Sequence, residues 1–218
     1  MKPLLTIIIP VYNGAELLPK ALESVPKAHD YEVLIIDDGS TDGSWAIADR
    51  WRQLNKGFFD SITVVRLTEN KGVAAAMNAG FALATGKYIV SLSSDDYYMV
   101  DFDQFRPHLL DGKYDLIYFD LEVNDKSIWR LTEESKKGLV GAVKFIKRKF
   151  LGDTRVPSLK YKEDQPFSQA LYDKHPKELF TGIVLKHYNW PREGSLSWQA
   201  TQDYANDHET WAKNSGKA

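Results

Sequence analysis

Short β-branched runs alternate with longer stretches of helical spacing through the first hundred residues. Leu5 to Ile9 is an almost unbroken apolar run, as expected of a strand buried on both faces. Leu17, Leu18, Ala21, Leu22 and Val25 then recur at helical spacing and stop before Pro26, which predicts a helix within Ala15 to Val25. Glu32 to Ile36 reads as a second buried strand, closed by the turn Asp37-Asp38-Gly39-Ser40. Thr41 or Asp42 is placed to cap the next helix, whose apolar face holds Trp45, Ile47, Ala48 and Trp51. Ile62 to Leu67 predicts a third strand. Asn70-Lys71-Gly72 then turns into an alanine-rich helix that ends near Ala84, with Gly86 just past it. Tyr88 to Leu92 is a fourth strand, leading into Ser93-Ser94-Asp95-Asp96. Alternation of this kind predicts an α/β fold: a mostly parallel central sheet with helices on both faces.

The second half is less regular. Asp115 to Val123 and Gly182 to His187 read as strands, with helices expected over Gly138 to Phe150 and Gln165 to Asp173. A polar helix is expected over Ala200 to Lys213. No internal repeat or low-complexity linker interrupts the chain, so residues 1–218 are read as one domain. The segment 136–150 carries basic residues and no acidic ones. As a helix it would put Leu139, Val143, Ile146 and Phe150 on one stripe, with Lys137, Lys144 and Arg148 largely elsewhere. Such a face either stays in solvent or docks on an anionic membrane surface, a lipid-diphosphate carrier or a polyanion such as nucleic acid.

Composition narrows the function classes. The 218 residues include 43% hydrophobic and 27% charged, and the net charge of -2 announces neither nucleic acid nor membrane. The absence of cysteine excludes disulfides, zinc-thiolate sites and cysteine nucleophiles together. The N-terminal apolar run is short and ends at Pro10, unlike a signal peptide, and nothing approaches the about 18–20 apolar residues of a membrane span. A cytoplasmic location is therefore expected, with peripheral membrane contact left to the basic segment.

Ligands of open parallel sheets bind beyond the carboxyl ends of the strands. On that rim the sequence gathers Tyr12-Asn13-Gly14, Asp37-Asp38-Gly39-Ser40, Asn70-Lys71-Gly72 and Asp95-Asp96. A nucleoside diphosphate uses such parts. An aromatic ring such as Tyr12 stacks on a base, and a carboxylate such as Asp38 accepts a base N–H. Bare carboxylates repel a diphosphate, and a hard divalent cation between Asp96 and the phosphate oxygens resolves that conflict.

These residues resemble a known family. Thr6-Ile7-Ile8-Ile9-Pro10-Val11-Tyr12-Asn13 and Ile36-Asp37-Asp38-Gly39-Ser40-Thr41-Asp42 are similar to the opening of family 2 glycosyltransferases with the GT-A fold, the Rossmann-like fold of nucleotide-diphospho-sugar transferases. Asn70-Lys71-Gly72 with Met77-Asn78-Ala79-Gly80 resembles their next signature, and Ser94-Asp95-Asp96 their acidic metal motif. The resemblance implies a donor half over about 1–98 and an acceptor half over about 99–218. It implies donor contacts from Pro10, Tyr12, Asn13, Asp37, Asp38, Lys71, Asp95 and Asp96, with Tyr12 on the base, Asp38 on its imide (hence a UDP-sugar), Asp95 on ribose or sugar, and Mn2+ or Mg2+ on Asp96.

Further along, Tyr161-Lys162-Glu163-Asp164-Gln165-Pro166-Phe167 resembles the acidic pair that opens a helix in the family, which makes Asp164 the general base of an inverting transfer. His187-Tyr188-Asn189-Trp190-Pro191-Arg192 resembles the stretch closing the catalytic domain, so Glu163, His187 and Arg192 are expected near acceptor or diphosphate. Two positions depart from the pattern. Ser93 stands at the first acidic position of the metal motif, and Met77 where many members carry arginine.

Three other readings are weaker. A nicotinamide dehydrogenase needs G-x-G-x-x-G after the first strand, where Pro10-Val11-Tyr12-Asn13-Gly14 stands. A sugar nucleotidyltransferase would carry a basic, glycine-rich loop there. A non-catalytic nucleotide-sugar-binding module keeps the fold without turnover, which retention of Asp38, Asp95, Asp96 and Asp164 together argues against. The acceptor is open among glycan, lipid carrier, protein and nucleic acid, and Trp190, Trp198 and Trp211 leave room for a homodimer.

Overall fold

The computed structural model describes residues 2–124, 127–137, 143–159 and 162–189, with 193 and 199. Met1–Tyr188 makes one compact unit, and of Asn189–Ala218 only Asn189, Glu193 and Gln199 are described. The expected helix over Ala200 to Lys213, Arg192, and Trp190, Trp198 and Trp211 lie outside the described residues.

The first half follows the apolar pattern closely. Strand β1 (Leu5–Val11), helix α1 (Leu18–Glu23), β2 (Tyr31–Asp37), α2 (Ser44–Asn55), β3 (Ser61–Arg66), α3 (Val73–Leu83) and β4 (Tyr88–Ser91) succeed one another. The order β3-β2-β1-β4 is parallel throughout, with Leu5 opposite both Tyr31 and Tyr88. Leu5, Ile7, Ile8, Ile9, Val33 and Ile35 are fully shielded, because helices lie against the sheet and the strands have no solvent side. Pro10 costs little in this setting. The pairing of β1 with β4 ends at Ile8 and Ser91, so the missing N–H falls beyond that neighbour.

At the amino ends of β1 and β4 Gly86 is required by close packing. A Cβ there would lie 2.6 Å from the Thr6 backbone nitrogen, and the Gly86 N–H donates to Thr6 Oγ1 at 2.9 Å. Gly86→Ala must push backbone from backbone, so we expect it to lower stability by about 1–3 kcal/mol or more. A urea denaturation midpoint equal to that of the parent would contradict this packing.

The second half adds β5 (Tyr97–Tyr98), α4 (Arg106–Asp111), β6 (Leu116–Val123), β7 (Ser127–Trp129), a 3-10 turn at Ser135–Lys137, β8 (Lys144–Lys147), α5 (Arg148–Leu151), α6 (Asp164–Tyr172) and β9 (Glu178–Tyr188). Among the described residues the sheet is nine-stranded, running β3-β2-β1-β4-β8-β6-β9-β5 with β7 beside β6. It is mostly parallel, as the alternation predicts. The exceptions are β8, antiparallel to β4 and β6; β5, antiparallel to β9; and β7, antiparallel to β6.

The basic helix expected over 136–150 is not what forms. Residues 138–142 are not described, and Lys144–Lys147 is a strand filling the space between β4 and β6. The run Val143 to Ile146 is buried on both faces, and a short run of that kind has no periodicity to distinguish strand from helix. Phe145 joins a cluster of rings with Phe102, Phe105 and Phe119 at centroid separations of 5.0–5.6 Å. Its basic residues brace the interior. Lys136 is buried with Glu133 at 2.7 Å and Glu178 at 2.5 Å, and Lys144 is 2% exposed. Lys147 donates to Gly112 O, and Arg148 to Gly86 O. Lys136 and Lys144 are therefore withdrawn from any basic face, while Lys149 stays exposed and Lys147 and Arg148 half-buried. No helix among the described residues is long and apolar enough to cross a membrane.

Candidate active site

The turns after β1 and β2 are tied together by side chains at the carboxyl rim. Asn13 adopts a left-handed conformation with φ 46°, which asparagine tolerates, and its side-chain oxygen Oδ1 accepts the Thr41 N–H at 2.8 Å. The Asn13 N–H donates to Ser40 Oγ and the Gly14 N–H to Ser44 Oγ, both at 2.9 Å. Asp42 accepts from Ala15 N and Ser44 N at 2.9 Å each and so ties the first turn to the start of α2, although the N-cap position itself is Gly43 and not the expected Thr41 or Asp42. This leaves Tyr12 at the tip of β1 with 46% of its surface exposed, a ring open to stacking.

The two aspartates after β2 have different surroundings. Asp37 is fully buried; it accepts the Ser40 N–H at 3.0 Å and lies 3.4 Å from the Arg66 guanidinium, which also donates to Ser40 O. Asp38 is 2% exposed, and its two oxygens accept the backbone N–H groups of Lys71 at 2.9 Å and Gly72 at 2.7 Å. Burial raises the Asp38 carboxyl above its ordinary range, although these two donors pull it down. Gly72 has φ 87°, a conformation that only glycine adopts without strain, and α3 begins at the next residue. Lys71 thus reaches the rim through its backbone, while its ammonium lies 3.5 Å from exposed Glu69.

After β4, the Asp96 N–H closes a turn onto Ser93 O at 3.1 Å. Asp95 is partly exposed, and Asp96 is 2% exposed. Asp96 Oδ2 accepts a hydrogen bond from Lys186 Nζ, on β9, at 2.9 Å. His187, the next residue on β9, stacks on Tyr97 at 4.4 Å, and Lys20 Nζ sits 3.6 Å from the centre of the Tyr97 ring. A divalent cation is tested against this donor set. Asp95 and Asp96 supply hard carboxylate oxygens of the type that Mn2+ and Mg2+ prefer. However, Ser93 replaces a third acid, and no group of three His, Asp or Glu side chains among the described residues is placed to hold a metal. The residues fit a cation that brings further oxygens of its own, such as those of a diphosphate.

Asp164 opens α6, where the helix dipole favours a carboxylate. Burial lifts both Glu163 and Asp164 above the usual carboxylate range, and Lys144 draws Asp164 part of the way back. Lys144 is itself pushed down to about 8 by burial, against the pull of Asp164 and Glu178, and donates to Ser168 Oγ at 3.1 Å.

Helix α3 connects the rim to this helix. Its first turn follows the Asp38–Gly72 contact, and its far face stacks Phe81 on Phe167 of α6 at 5.6 Å. Asn78 exchanges two hydrogen bonds with the Val156 backbone, at 2.8 and 2.9 Å, and so fixes the segment leading to α6.

The sequence gives no role to Lys186, names Asn78 only within the Met77-Asn78-Ala79-Gly80 signature, and places Lys144 on a basic helix face. Lys186 is a lone charge inside an apolar strand, which is the signal the sequence offers, whereas Lys144 stands among Lys147, Arg148 and Lys149 and carries no such mark.

Comparison with known proteins assigns the family and the fold. Residues 6–164 match the family model described as glycosyl transferase family 2. The putative teichuronic acid biosynthesis glycosyltransferase TuaG of Bacillus subtilis is 36% identical over 102 residues, covering 46% of this chain and 39% of that protein. Glycosyltransferase GlyA of Streptococcus pneumoniae is 25% identical over 224 residues, covering 88% of this chain and 31% of its own length. The chain therefore spans well under half of these relatives.

Among solved structures, S. aureus TarS 1–349 in complex with UDP-GlcNAc superposes with a TM-score of 0.74 at 22% identity, over 90% of this chain and 60% of that one. The mannosyltransferase PcManGT from Pyrobaculum calidifontis, in complex with GDP-Man and Mn2+, gives 0.71 at 20% identity, over 91% and 60%. At these identities the structures establish a shared GT-A fold. Together with the motifs on the carboxyl rim, the match over residues 6–164 means that this chain belongs to glycosyl transferase family 2.

Proposed function

We propose that the chain transfers a sugar from a nucleotide-diphosphate sugar, a UDP-sugar, to an acceptor hydroxyl with inversion at the anomeric carbon. The observation that carries this reading is the coupling of two acidic centres through α3. Asp38 holds the start of that helix, and Asp164 opens the helix packed on its far face. A base and a ribose have Tyr12, Asn13, Asp38 and Asp95 to meet them, with Pro10 and the Lys71 backbone shaping the rim. Asp96 would hold Mn2+ or Mg2+, whose charge offsets that of the leaving diphosphate.

An attacking hydroxyl must lose its proton as the new C–O bond forms, and Asp164 takes that proton as general base. A carboxylate raised in pKa is better matched to this task than one at the ordinary value, because it holds the proton more firmly at neutral pH. Lys144 tunes it from below. Glu163 and His187 stand as candidate contacts to acceptor or diphosphate. Arg192 keeps that role only on the strength of the sequence. Release of UDP from a panel of UDP-sugars, measured with and without candidate acceptors, tests the reading. No release from any nucleotide-sugar would leave the binding-module reading in its place.

The pH dependence follows from the same groups. The base works deprotonated, so the rate falls as pH drops through the Asp164 pKa, and the acidic limb lies above the ordinary carboxylate range. Lys144→Met removes a cation that lowers that pKa, so the limb should move to higher pH. The difference from the parent should shrink above about 8, where Lys144 itself loses its charge. A kcat/KM profile whose acidic limb stays fixed or moves down would contradict the coupling.

A further inference from the structure

The carboxylate that receives the cation in this reading already has one. Lys186 Nζ lies 2.9 Å from Asp96 Oδ2, with the two side chains only 3% and 1% exposed. Ninety residues separate the partners, so the contact is made by the fold and not by local chain geometry. Strand β9 delivers Lys186 opposite Tyr98 of β5 and Leu121 of β6, and the preceding Leu185 is fully buried. An ammonium in such surroundings needs a compensating anion, and the carboxylate equally needs its cation. Two further features make this pair consequential: Ser93 withholds an acidic ligand, and no three-ligand metal group exists among the described residues.

A divalent cation approaching Asp96 must either displace the ammonium or settle beside it against like-charge repulsion. We propose that Lys186 is the resident counter-cation of Asp96, which keeps divalent metal off the nucleotide-free chain so that metal and nucleoside diphosphate bind together. The negative charge of the diphosphate offsets the added positive charge, so the metal site is complete only when the nucleotide is present. This rests on the donor-site reading above, but its first test needs no nucleotide.

The test is a Mn2+ titration of the full chain, followed by the electron paramagnetic resonance signal of free Mn2+. Nucleotide-free parent should take up little Mn2+, and Lys186→Gln should bind it at least about tenfold more tightly, equivalent to about 1.4 kcal/mol. Lys186→Arg, which keeps the charge, should behave as the parent, and Lys186→Gln with Asp96→Asn should bind none at this site. Adding UDP should let the parent take up Mn2+.

Equal uptake by parent and folded Lys186→Gln overturns the proposal, as does no uptake by folded Lys186→Gln. If Lys186→Gln does not fold, the parent decides: nucleotide-free uptake that Asp96→Asn abolishes overturns the idea, and uptake that requires UDP supports it. UDP that binds no variant, with or without Mn2+, removes the donor-site reading, and the nucleotide-free titrations still judge Lys186.

Discussion

Replacing Asp164 with asparagine should lower sugar transfer by about 10²–10⁴-fold, the range typical of a lost general base. Asparagine keeps the size and the position at the start of α6 but cannot take up a proton at neutral pH. The loss should appear in kcat and in kcat/KM alike, because the proton moves only on the way to the transition state. Affinity for the nucleotide should be unchanged, since the proposed donor contacts lie on the turns after β1, β2, β3 and β4. Stability should also change little, because Phe167, Ser168 and Leu171 supply the buried face of α6. A variant that binds donor and still transfers near the parental rate would take the base role away from Asp164.

The second large effect is expected at Asp38. Its two oxygens each accept a backbone N–H, from Lys71 and from Gly72, and a carboxylate can do this because both oxygens are acceptors. Asparagine offers one acceptor and turns an NH2 toward the other N–H. Asp38→Asn should therefore lose about 1.5–3 kcal/mol of stability, the scale for a hydrogen bond to a charged group. It should also release the Lys71-Gly72 turn at the start of α3 and weaken nucleotide binding by at least about tenfold. Asp37→Asn provides a comparison, since Asp37 is turned inward onto Ser40 N and Arg66. It should lower stability with a smaller effect on nucleotide affinity. If calorimetry showed Asp38→Asn binding UDP as tightly as the parent, the imide role of Asp38 would fall.

How legible these features were depended on how local their physics is. The strands β1, β2 and β4 were readable because parallel strands buried on both faces are continuous apolar runs. The rim turns were readable because Asn13, Asp38 and Gly72 are the residue types that such turns require. Segment 136–150 misled for the opposite reason. Leu139, Val143, Ile146 and Phe150 satisfy a helical stripe, but the gap between β4 and β6 demands a strand, and that demand is tertiary. Its lysines looked like a solvent face because their acidic and carbonyl partners, Glu178, Asp115 and Gly112, are distant in sequence. The same distance hid the Lys186–Asp96 pair: residue 186 reads as a stray charge until the sheet brings it to the rim.

The donor site is the centre of this account, and thermal shift against nucleoside diphosphates tests it most directly. A ligand that binds only the folded chain raises its melting temperature in proportion to occupancy. UDP should raise it more than GDP, ADP or CDP, more strongly with Mn2+ or Mg2+ than without, and the gain should vanish in Asp38→Asn. If no nucleoside diphosphate moves the melting temperature under any metal condition, the carboxyl rim is not a donor site, and the account is contradicted.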